Sequence, residues 1–428
     1  MAEKYKQAFE QALAKQEAEP EEAIALYQGL IDKGGEEESE EVHKVKEQAI
    51  YKLGELYAKR GEANELHNLL TRIRPFFNAV AKAKTAKIVR SLIDLVARIP
   101  DTVSLQIELC KECIEWAKEE QRTFLRQRIE ARLSSLYLET EQYTLALKLL
   151  TSLLREIKRF DDKLLLVEIQ LIESQVQHKL LNIPKAKASL TAARTAANSI
   201  YCPPLLQAQI DMQAGTLHAE EKDYKTAYSY FYEAFEGFTS ITSNDPSVDQ
   251  GAILALKYML LCKIMLNSVA DVNQIMSGKN ALKYAGREME AMRAVATAHK
   301  NRSLKAFEQA KNEYAQELGK DIIVQRHLAE LEDTLLEQNL SRIIEPFSCV
   351  EINHVASLID LPVASVEKKL SQMILDKKLL GILDQGADTL IVFDEPSADG
   401  TYPAALETVQ HMGKVVDSLY EKALKLNI

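Results

Sequence analysis

The chain has 428 residues and a formal net charge of −10, and 46% of its residues are apolar while 27% are charged. This length exceeds what one compact core holds, so we expect several domains or an array of repeats. The acidic balance disfavours a nucleic-acid binder, because phosphate recognition needs a basic face. Only 15 Gly and 11 Pro interrupt the chain, which favours helices joined by short turns over an all-β fold.

We expect no targeting signal at either end of the sequence. Residues 1–6 are charged and lack the apolar core of a secretory signal, and the last four residues are not a prenylation box. No apolar run approaches the roughly eighteen residues of a membrane span. The five Cys are scattered without a pairing framework, which is typical of a reducing compartment, and we expect the cytoplasm and nucleus.

A repeated pair of helices is the main pattern of residues 1–240. Its clearest copy lies in residues 212–235, where small and aromatic residues have the offsets of a tetratricopeptide unit. The small residues let two helices approach, and the aromatic residues fill the gap between them. The anchors of this copy are Gly215, His218, Tyr224, Ala227, Phe231 and Ala234. Three weaker copies have the anchors Ser174, Gln177, Ile183, Ala186, Leu190 and Ala193, then Ser134, Tyr137, Tyr143, Ala146 and Leu150, and finally Gly54, Tyr57, Ala63, Leu66 and Leu70.

The copies follow one another at a nearly constant spacing. Tyr57, Tyr137, Gln177 and His218 occupy the same place in the unit and lie 80, 40 and 41 residues apart. A further unit near Ala97 would complete the series, although its anchors are poor. The period exceeds the roughly 34 residues of regular tetratricopeptide repeats, so we expect irregular pairs of long helices stacked into a superhelix. Solenoids present extended surfaces to other proteins, and the pattern therefore predicts an interaction scaffold.

Two basic stretches stand out in this acidic chain. They comprise Lys82, Lys84, Lys87 and Arg90, and then Arg122, Arg126, Arg128 and Arg132. One interpretation is that they are ordinary exposed helix faces, and the other is that they dock an acidic partner. The docking prediction concerns Lys82, Lys84, Lys87, Arg90, Arg122 and Arg126.

Residues 241–340 are helical in pattern without repeat anchors, and the pattern changes near Ile343. A β-prone run, two helices and a hairpin around Gly386 follow in order, at 349–352, 354–359, 363–378 and 381–393. This order is the layout of a winged helix, which we place in residues 341–396.

The charge of residues 341–428 distinguishes between DNA and protein as the partner of this module. Eight Lys and Arg stand against thirteen Asp and Glu. Four lysines lie on the second helix, at 368, 369, 377 and 378, which keeps nucleic acid as an alternative. Because phosphate neutralisation supplies most non-specific DNA affinity, a net-negative module favours a protein partner.

The last segment, 400–428, carries a narrow apolar stripe that steps by three and four residues. Its members are Val409, Met412, Val416, Leu419, Ala423 and Leu426. This spacing is a heptad seam. The helix either folds back on its own domain or packs with helices of other subunits, and we predict the second arrangement.

The sequence predicts no catalytic, cofactor-binding or metal site. The two closest of the eight His, His43 and His67, are 24 residues apart, so neither His-x-His nor His-x-x-x-His occurs. Cys110 and Cys113 form a lone Cys-x-x-Cys within a helical run, and we expect both to be buried. The Gly278–Lys279 pair lacks the earlier Gly and the following Ser or Thr of a phosphate loop.

Residues 339–362 and 366–386 resemble the core of a PCI domain, the module shared by the proteasome lid, the COP9 signalosome and translation initiation factor three. More specific blocks are similar to the subunit-11 type of non-ATPase regulatory subunit of the 26S proteasome, and lie at 83–92, 113–127, 154–168, 190–204, 223–238, 256–267 and 405–426. The first fifty residues carry little of this resemblance. We therefore expect a mainly α fold, in which a tetratricopeptide-like α-solenoid (1–240) precedes the helical (241–340) and winged-helix (341–396) parts of a PCI domain and a C-terminal bundle helix (400–428).

The resemblance implies a structural scaffold subunit of the proteasome regulatory particle lid that holds the lid to the core particle and supports ubiquitin-dependent degradation. The implied partners are other PCI lid subunits, whose winged helices associate side by side and whose C-terminal helices form one bundle. An α subunit of the core particle, touched by the solenoid, and the proteasomal ATPase ring are also implied. A PCI scaffold subunit of the COP9 signalosome or of a translation initiation complex is the alternative.

Overall fold

Helices form most of the chain. The computed structural model describes residues 2–15, 20–32, 40–78, 80–100, 102–241, 246–319, 321–359, 361–384, 386–393 and 400–426. The chain divides into two units, Met1–Ala285 and Gly286–Ile428. None of the described helices combines the length and the apolar character that a membrane span requires.

The first unit is a series of helices, each packed on its neighbours in the chain. They are α1 (Ala2–Lys15), α2 (Pro20–Asp32), α3 (Glu40–Arg60), α4 (Ala63–Ile73), α5 (Lys82–Ala97), α6 (Val103–Glu119), α7 (Thr123–Glu139), α8 (Tyr143–Phe160), α9 (Lys163–Lys179), α10 (Ile183–Asn198), α11 (Pro204–Glu220), α12 (Tyr224–Ser240), α13 (Pro246–Met265), α14 (Val269–Met276) and α15 (Lys279–Leu282), with a 3₁₀ turn at Arg74–Asn78. From α5 to α14 each helix packs on the next one. This stacking confirms the predicted α-solenoid.

Small residues at the predicted anchors let the two helices of a pair approach closely. Ala186, Ala227 and Ala234 are fully buried. The hydroxyl of Ser174 donates a 2.9 Å hydrogen bond to the carbonyl of Ala186 and so joins α9 to α10. The unit expected near Ala97 is present as the pair α5–α6. The repeat pattern therefore identified the helix pairs.

Short turns between the helices use the left-handed backbone region at residues other than glycine. Positive φ angles occur at Gln121, Glu141, Asp161, Leu181 and Lys222. A left-handed residue stops a helix abruptly, because the amides that follow turn back to its last carbonyls. The side chains of Asp162 and Asp223 then begin α9 and α12 by accepting hydrogen bonds from the amides of Leu165 and Thr226. Sharp turns are therefore built here with few glycines.

The second unit begins with helices and continues with a small sheet. Its elements are α16 (Arg287–Lys300), α17 (Leu304–Glu313), α18 (Ala315–Gly319), α19 (Ile322–Ile344), β1 (Cys349–Glu351), α20 (Ile352–Ile359), α21 (Val363–Leu375), β2 (Gly381–Asp384), β3 (Thr389–Val392) and α22 (Thr401–Leu426). The strands are antiparallel in the order β1–β3–β2, with Leu390 opposite both Val350 and Leu383. The predicted winged helix is thus confirmed. Its second helix ends at Leu375, before the predicted Lys378, because Lys377 adopts a φ of 57°.

The core of the winged helix includes the end of the long helix α19. Its fully or nearly buried members are Leu340, Ile344, Val350, Ile352, Val355, Ala356, Val366, Leu370, Met373 and Leu390. Helix α19 crosses the predicted limit between residues 340 and 341, since it contributes Leu340 on one side of that limit and Ile344 on the other. The division of the chain into domains stays a prediction.

Candidate partner-binding surfaces

The predicted seam lies on a helix whose side chains are exposed. Residues 401–425 of α22 are all exposed, including Val409 at 66% and Leu419 at 60%. Met412, Val416 and Ala423 are exposed in the same way, and the side chain of Leu426 lies outside the described residues. The stripe is therefore not buried against its own chain. Its role in assembly stays a prediction.

The exposed apolar surface of α22 is wider than the predicted seam. It also includes Tyr402, Leu406, Val415, Tyr420 and Leu424. Leu406 and Tyr420 lie seven residues on either side of Gly413, so they form a third heptad position beside the seam. A stripe with two apolar positions per heptad is typical of a two-stranded coiled coil. Three apolar positions per heptad are typical of a helix that packs against more than one neighbour. The seven-residue spacing of these aromatic and aliphatic residues was the signal that sequence reasoning missed.

The outer face of the winged-helix sheet is a second exposed apolar surface. Ile391 of β3 lies between Cys349 of β1 and Ile382 of β2 in one row across the sheet, and all three are exposed. Phe347 and Phe393, which are two residues along the chain from Cys349 and Ile391, are also exposed. We call these five residues the wing face. Beside it lies a shallow groove of about 530 Å³ lined by Ser371, Ile382, Leu383, Asp384 and Ile391.

The winged-helix module has four lysines on or near its second helix, α21. Two of them are neutralised by carboxylates of the same chain. The Nζ of Lys369, which is buried, lies 3.1 Å from Glu337 and 3.5 Å from Asp333 on α19. Lys378 lies 2.5 Å from the other carboxylate oxygen of Glu337. Burial acts to raise the pKa of Glu337, but hydrogen bonds from Lys378 and Lys369 outweigh it and hold this pKa below its ordinary value. These lysines are engaged by α19, which weakens the nucleic-acid alternative.

The first basic stretch lies at the surface of α5. Lys82, Lys87 and Arg90 are exposed, whereas Lys84 is half-buried and lies 4.0 Å from Glu47. This stretch is accessible to a partner, and its docking role stays a prediction.

The docking prediction includes two residues of the second basic stretch, Arg122 and Arg126. Both make contacts within the solenoid. Arg122 is buried, with its guanidinium carbon 4.9 Å from the ring centroid of Trp116, and its Nη2 donates a 3.2 Å hydrogen bond to the carbonyl of Phe77. Arg126 is half-buried and forms an ion pair with Glu156 on α8. Neither position supports the docking prediction, because both side chains hold neighbouring helices together.

The cysteines of the Cys-x-x-Cys segment are buried helix residues. Burial raises the pKa of Cys110 and of Cys113 to about 12 in each case. A thiol in such an apolar environment is a poor nucleophile and a poor metal ligand, because both roles need the thiolate. In the described ranges, no group of three or more His, Cys, Asp and Glu side chains is placed to hold a metal ion.

Comparisons with known proteins cover nearly the whole chain. Residues 5–140 match the 26S proteasome regulatory subunit RPN6 N-terminal domain, residues 311–394 match the PCI domain, and residues 398–423 match the 26S proteasome subunit RPN6 C-terminal helix domain. The 26S proteasome non-ATPase regulatory subunit 11 homolog of Arabidopsis thaliana is 57% identical over 96% of this chain and 96% of its own length. The probable 26S proteasome regulatory subunit rpn6 of Schizosaccharomyces pombe is 53% identical, and the regulatory subunit RPN6 of Saccharomyces cerevisiae is 45% identical, each over 94% of both chains. The chain therefore belongs to the family of 26S proteasome non-ATPase regulatory subunit 11, also named regulatory subunit RPN6.

Proposed function

We propose that the chain is a structural scaffold subunit in the lid of the proteasome regulatory particle. In this role it holds the lid to the core particle and supports ubiquitin-dependent protein degradation. The observation that carries the proposal is the apolar surface of the 26-residue helix α22, whose residues 401–425 are all exposed on the free chain. Burying one large apolar side chain gives about 1.5–3 kcal/mol, so such a surface is a strong contact once partner helices cover it.

Each exposed surface of the chain has its own proposed partner. Helix α22 joins C-terminal helices of other lid subunits, and the width of its apolar surface fits a bundle with more than one neighbour. The wing face contacts the winged helix of another PCI subunit, since it presents exposed Ile, Phe and Cys side chains on one side of a sheet. The solenoid contacts an α subunit of the core particle and the proteasomal ATPase ring, in the cytoplasm and the nucleus.

The proteasome is favoured over other complexes that contain PCI domains. The relatives named above are regulatory subunits of the 26S proteasome, and they align over at least 94% of their length. A subunit of the COP9 signalosome or of a translation initiation complex is not favoured.

We also propose that the chain is not an enzyme. The Arabidopsis thaliana relative is named a non-ATPase regulatory subunit, which supports this. The thiols of Cys110, Cys113 and Cys262 support it too, because burial raises the pKa of each to about 12 and so suppresses the nucleophilic thiolate.

Affinity purification of the tagged chain at moderate salt tests the proposal. We expect mass spectrometry to find proteasome lid and core subunits in constant ratio to the chain. Recovery of signalosome or initiation-factor subunits in their place would indicate that the chain is a scaffold subunit of that complex and not of the proteasome. Metal analysis of the isolated chain tests the non-enzymatic part, which one zinc per chain would contradict.

A further inference from the structure

Charged residues from three helices meet on one side of the solenoid. Helices α5, α7 and α9 are the first helices of three successive pairs, and α7 packs directly on α9. The charged side chains from the first two of these helices are spaced four residues apart, which places them on one helix face. The six residues are Arg90 and Asp94 on α5, Arg98 directly after its last residue, Arg128 and Arg132 on α7, and Glu168 on α9. We call these six residues the arginine groove.

Electrostatic interactions between the six side chains link them into one cluster, although none of these interactions is a direct ion pair. The carboxylate of Asp94 on α5 interacts with Arg132 of the neighbouring pair, with Arg90 of its own helix and with Arg98 directly after that helix. The carboxylate of Glu168 interacts with Arg128 and again with Arg90. Arg90 therefore interacts electrostatically with carboxylates that come from helices two pairs apart.

The groove is positively charged and its charges are not fully paired. It contains four arginines against two carboxylates, with the carboxylate of Asp162 as a third one near Glu168, in a chain whose net charge is −10. Arg90, Arg98 and Arg128 are exposed, and none of the four arginines forms a direct ion pair with a carboxylate that the structure describes. Asp94 and Glu168 are exposed as well, so the charged groups of this cluster are accessible to a partner.

An aromatic pair lies at one end of the groove. Phe124 stands four residues before Arg128 on the same face of α7, and its ring centroid lies 6.0 Å from that of Phe160, the last residue of α8. These rings are 62% and 52% exposed, which is unusual for two phenylalanines in contact. Exposed aromatic residues beside arginines are typical of a surface that binds another protein.

We infer that the arginine groove binds an extended acidic segment of a partner protein, with an apolar side chain of that segment against Phe124 and Phe160 and its carboxylates beside Arg90 and Arg128. Charge complementarity selects an acidic occupant. The two carboxylates of the groove favour a peptide over DNA, because a peptide backbone donates hydrogen bonds from its amides. A DNA backbone offers only acceptors, which Asp94 and Glu168 repel. This binding function goes beyond the scaffold role and does not depend on which complex the chain joins.

Fluorescence anisotropy with the full-length chain tests the inference. The probe is a fluorescein-labelled peptide of twelve residues, made of Asp, Glu and Ser with one Phe. A second peptide has Asn and Gln in place of the acids, and a third has Ser in place of the Phe. We expect the acidic peptide to bind, the amide peptide not to bind, and the affinity to fall between about 0.05 M and 0.5 M salt.

Three variants locate the site. Arg90→Glu with Arg128→Glu lowers the affinity for the acidic peptide about tenfold or more, since it reverses two contacting charges. The control, Lys148→Glu with Arg155→Glu, changes the charge equally on the exposed face of α8 and leaves the affinity within about twofold. Phe124→Ser weakens binding of the peptide with Phe and not of the peptide without it.

Two results would overturn the inference. One is equal loss of binding in the groove and control variants, which indicates attraction to the whole surface. The other is binding of single-stranded DNA as tight as that of the acidic peptide. If charge reversal unfolds the chain by circular dichroism, the neutral pair Arg90→Gln with Arg128→Gln replaces it, and unchanged peptide affinity in that variant rejects the groove.

Discussion

A Cβ atom built on Gly215 of α11 would lie 2.6 Å from Cε1 of Phe231 on α12, so the phenyl ring occupies the space that any larger residue would fill. Glycine within a helix costs about 1 kcal/mol relative to alanine. We expect Gly215→Ala to lower the melting temperature, because forcing a methyl group into this contact costs about 1–3 kcal/mol and exceeds the gain in helix propensity. Thermal melting followed by circular dichroism measures the effect.

The matched control for this prediction is Gly413→Ala, because a Cβ there has no neighbouring atom within 4 Å. Only the gain in helix propensity applies at Gly413, so this variant should be no less stable than the wild type. The double variant Gly215→Ala with Phe231→Leu should recover part of the lost stability. A Gly215→Ala protein that melts at or above the wild-type temperature would show that the ring moves aside without cost.

The buried carboxylate of Glu130 predicts a stability that depends on pH. Burial raises the pKa of Glu130 above its ordinary value of 4.5, and Glu156 adds to the shift while Arg126 opposes it. The folded state therefore binds more protons than the unfolded state between these two pKa values, and the free energy of unfolding falls as pH rises through that window. Glu130→Gln removes this effect, so we expect a gain in stability that is larger at pH 8 than at pH 5.

Thermal melting across this pH range checks the prediction. The control is Glu139→Gln, an exposed residue on the same helix, which should leave the melting temperature unchanged at every pH. A Glu130→Gln protein that is less stable than the wild type at pH 8 would mean that the contact with Arg126 outweighs the burial of the charge.

The sequence predicted the helix pairs and the winged helix because both depend on local patterns. Buried alanines such as Ala227 and Ala234 recur at fixed offsets from the aromatic anchors, and only close helix packing requires them. The strand, helices and hairpin after Ile343 are bounded by Pro and Gly, so their order could be read directly.

The surfaces were harder to predict, because they depend on residues far apart in the chain. Arg122 has the charge of a surface residue, but the ring of Trp116 and the carbonyl of Phe77 provide buried contacts for it. The arginine groove depends on an electrostatic interaction between Arg90 and Glu168, which belong to different helix pairs, and no local pattern shows that. The seam on α22 was predicted, whereas its extension to Tyr420 was missed since only two positions of the heptad were considered.

The ion pair between Lys369 and Glu337 predicts a local weakness in the second unit. Glu337→Ala leaves the buried ammonium group of Lys369 with only the more distant Asp333, and removing one partner of a buried pair costs about 3–5 kcal/mol. Lys378→Ala removes a half-exposed partner and should cost less than about 1 kcal/mol. Hydrogen exchange of the α21 amides measures both effects. Equal exchange rates in the two variants would contradict the prediction.

The stability that the same ion pair contributes is lost at acid pH. Because the pKa of Glu337 lies below its ordinary value of 4.5, its contribution is fully present above that value and is lost as pH falls through the lower pKa of the folded state. The difference in hydrogen-exchange rate between the wild type and Glu337→Ala should therefore shrink as the pH falls below the ordinary pKa of the carboxyl group. A difference that grows at acid pH would show that another group is responsible.

Cys349 provides a direct test of the wing face. Its thiol is exposed, whereas Cys110, Cys113 and Cys262 are buried and burial raises the pKa of each to about 12. We expect a maleimide to label Cys349 rapidly in the free chain and the three buried thiols slowly, as measured by mass spectrometry of the peptides. In the assembled particle, a PCI partner on the wing face should protect Cys349. The same labelling rate in the free and the assembled chain would exclude a contact at this face.

The seam of α22 should serve assembly and contribute little to folding. Val416 and Leu419 are exposed on the free chain, so replacing both with Asp removes no buried contact and should leave circular dichroism and thermal melting unchanged. In the assembled bundle the two carboxylates would lie in an apolar contact, where each unpaired charge costs several kcal/mol. We therefore expect the double variant to fold and to be absent from affinity-purified particles.

The control for the seam adds the same charge on another side of the helix. Gln410→Asp with His411→Asp lies at the two heptad positions between Val409 and Met412, outside the stripe, and both side chains are exposed. This control should enter the particle like the wild type, because its carboxylates stay in water. Normal incorporation of the Val416 and Leu419 variant would show that the bundle does not need this stripe. Unfolding of that variant would show that the stripe belongs to the core of its own chain, which would restore the folded-back arrangement as the explanation of the seam.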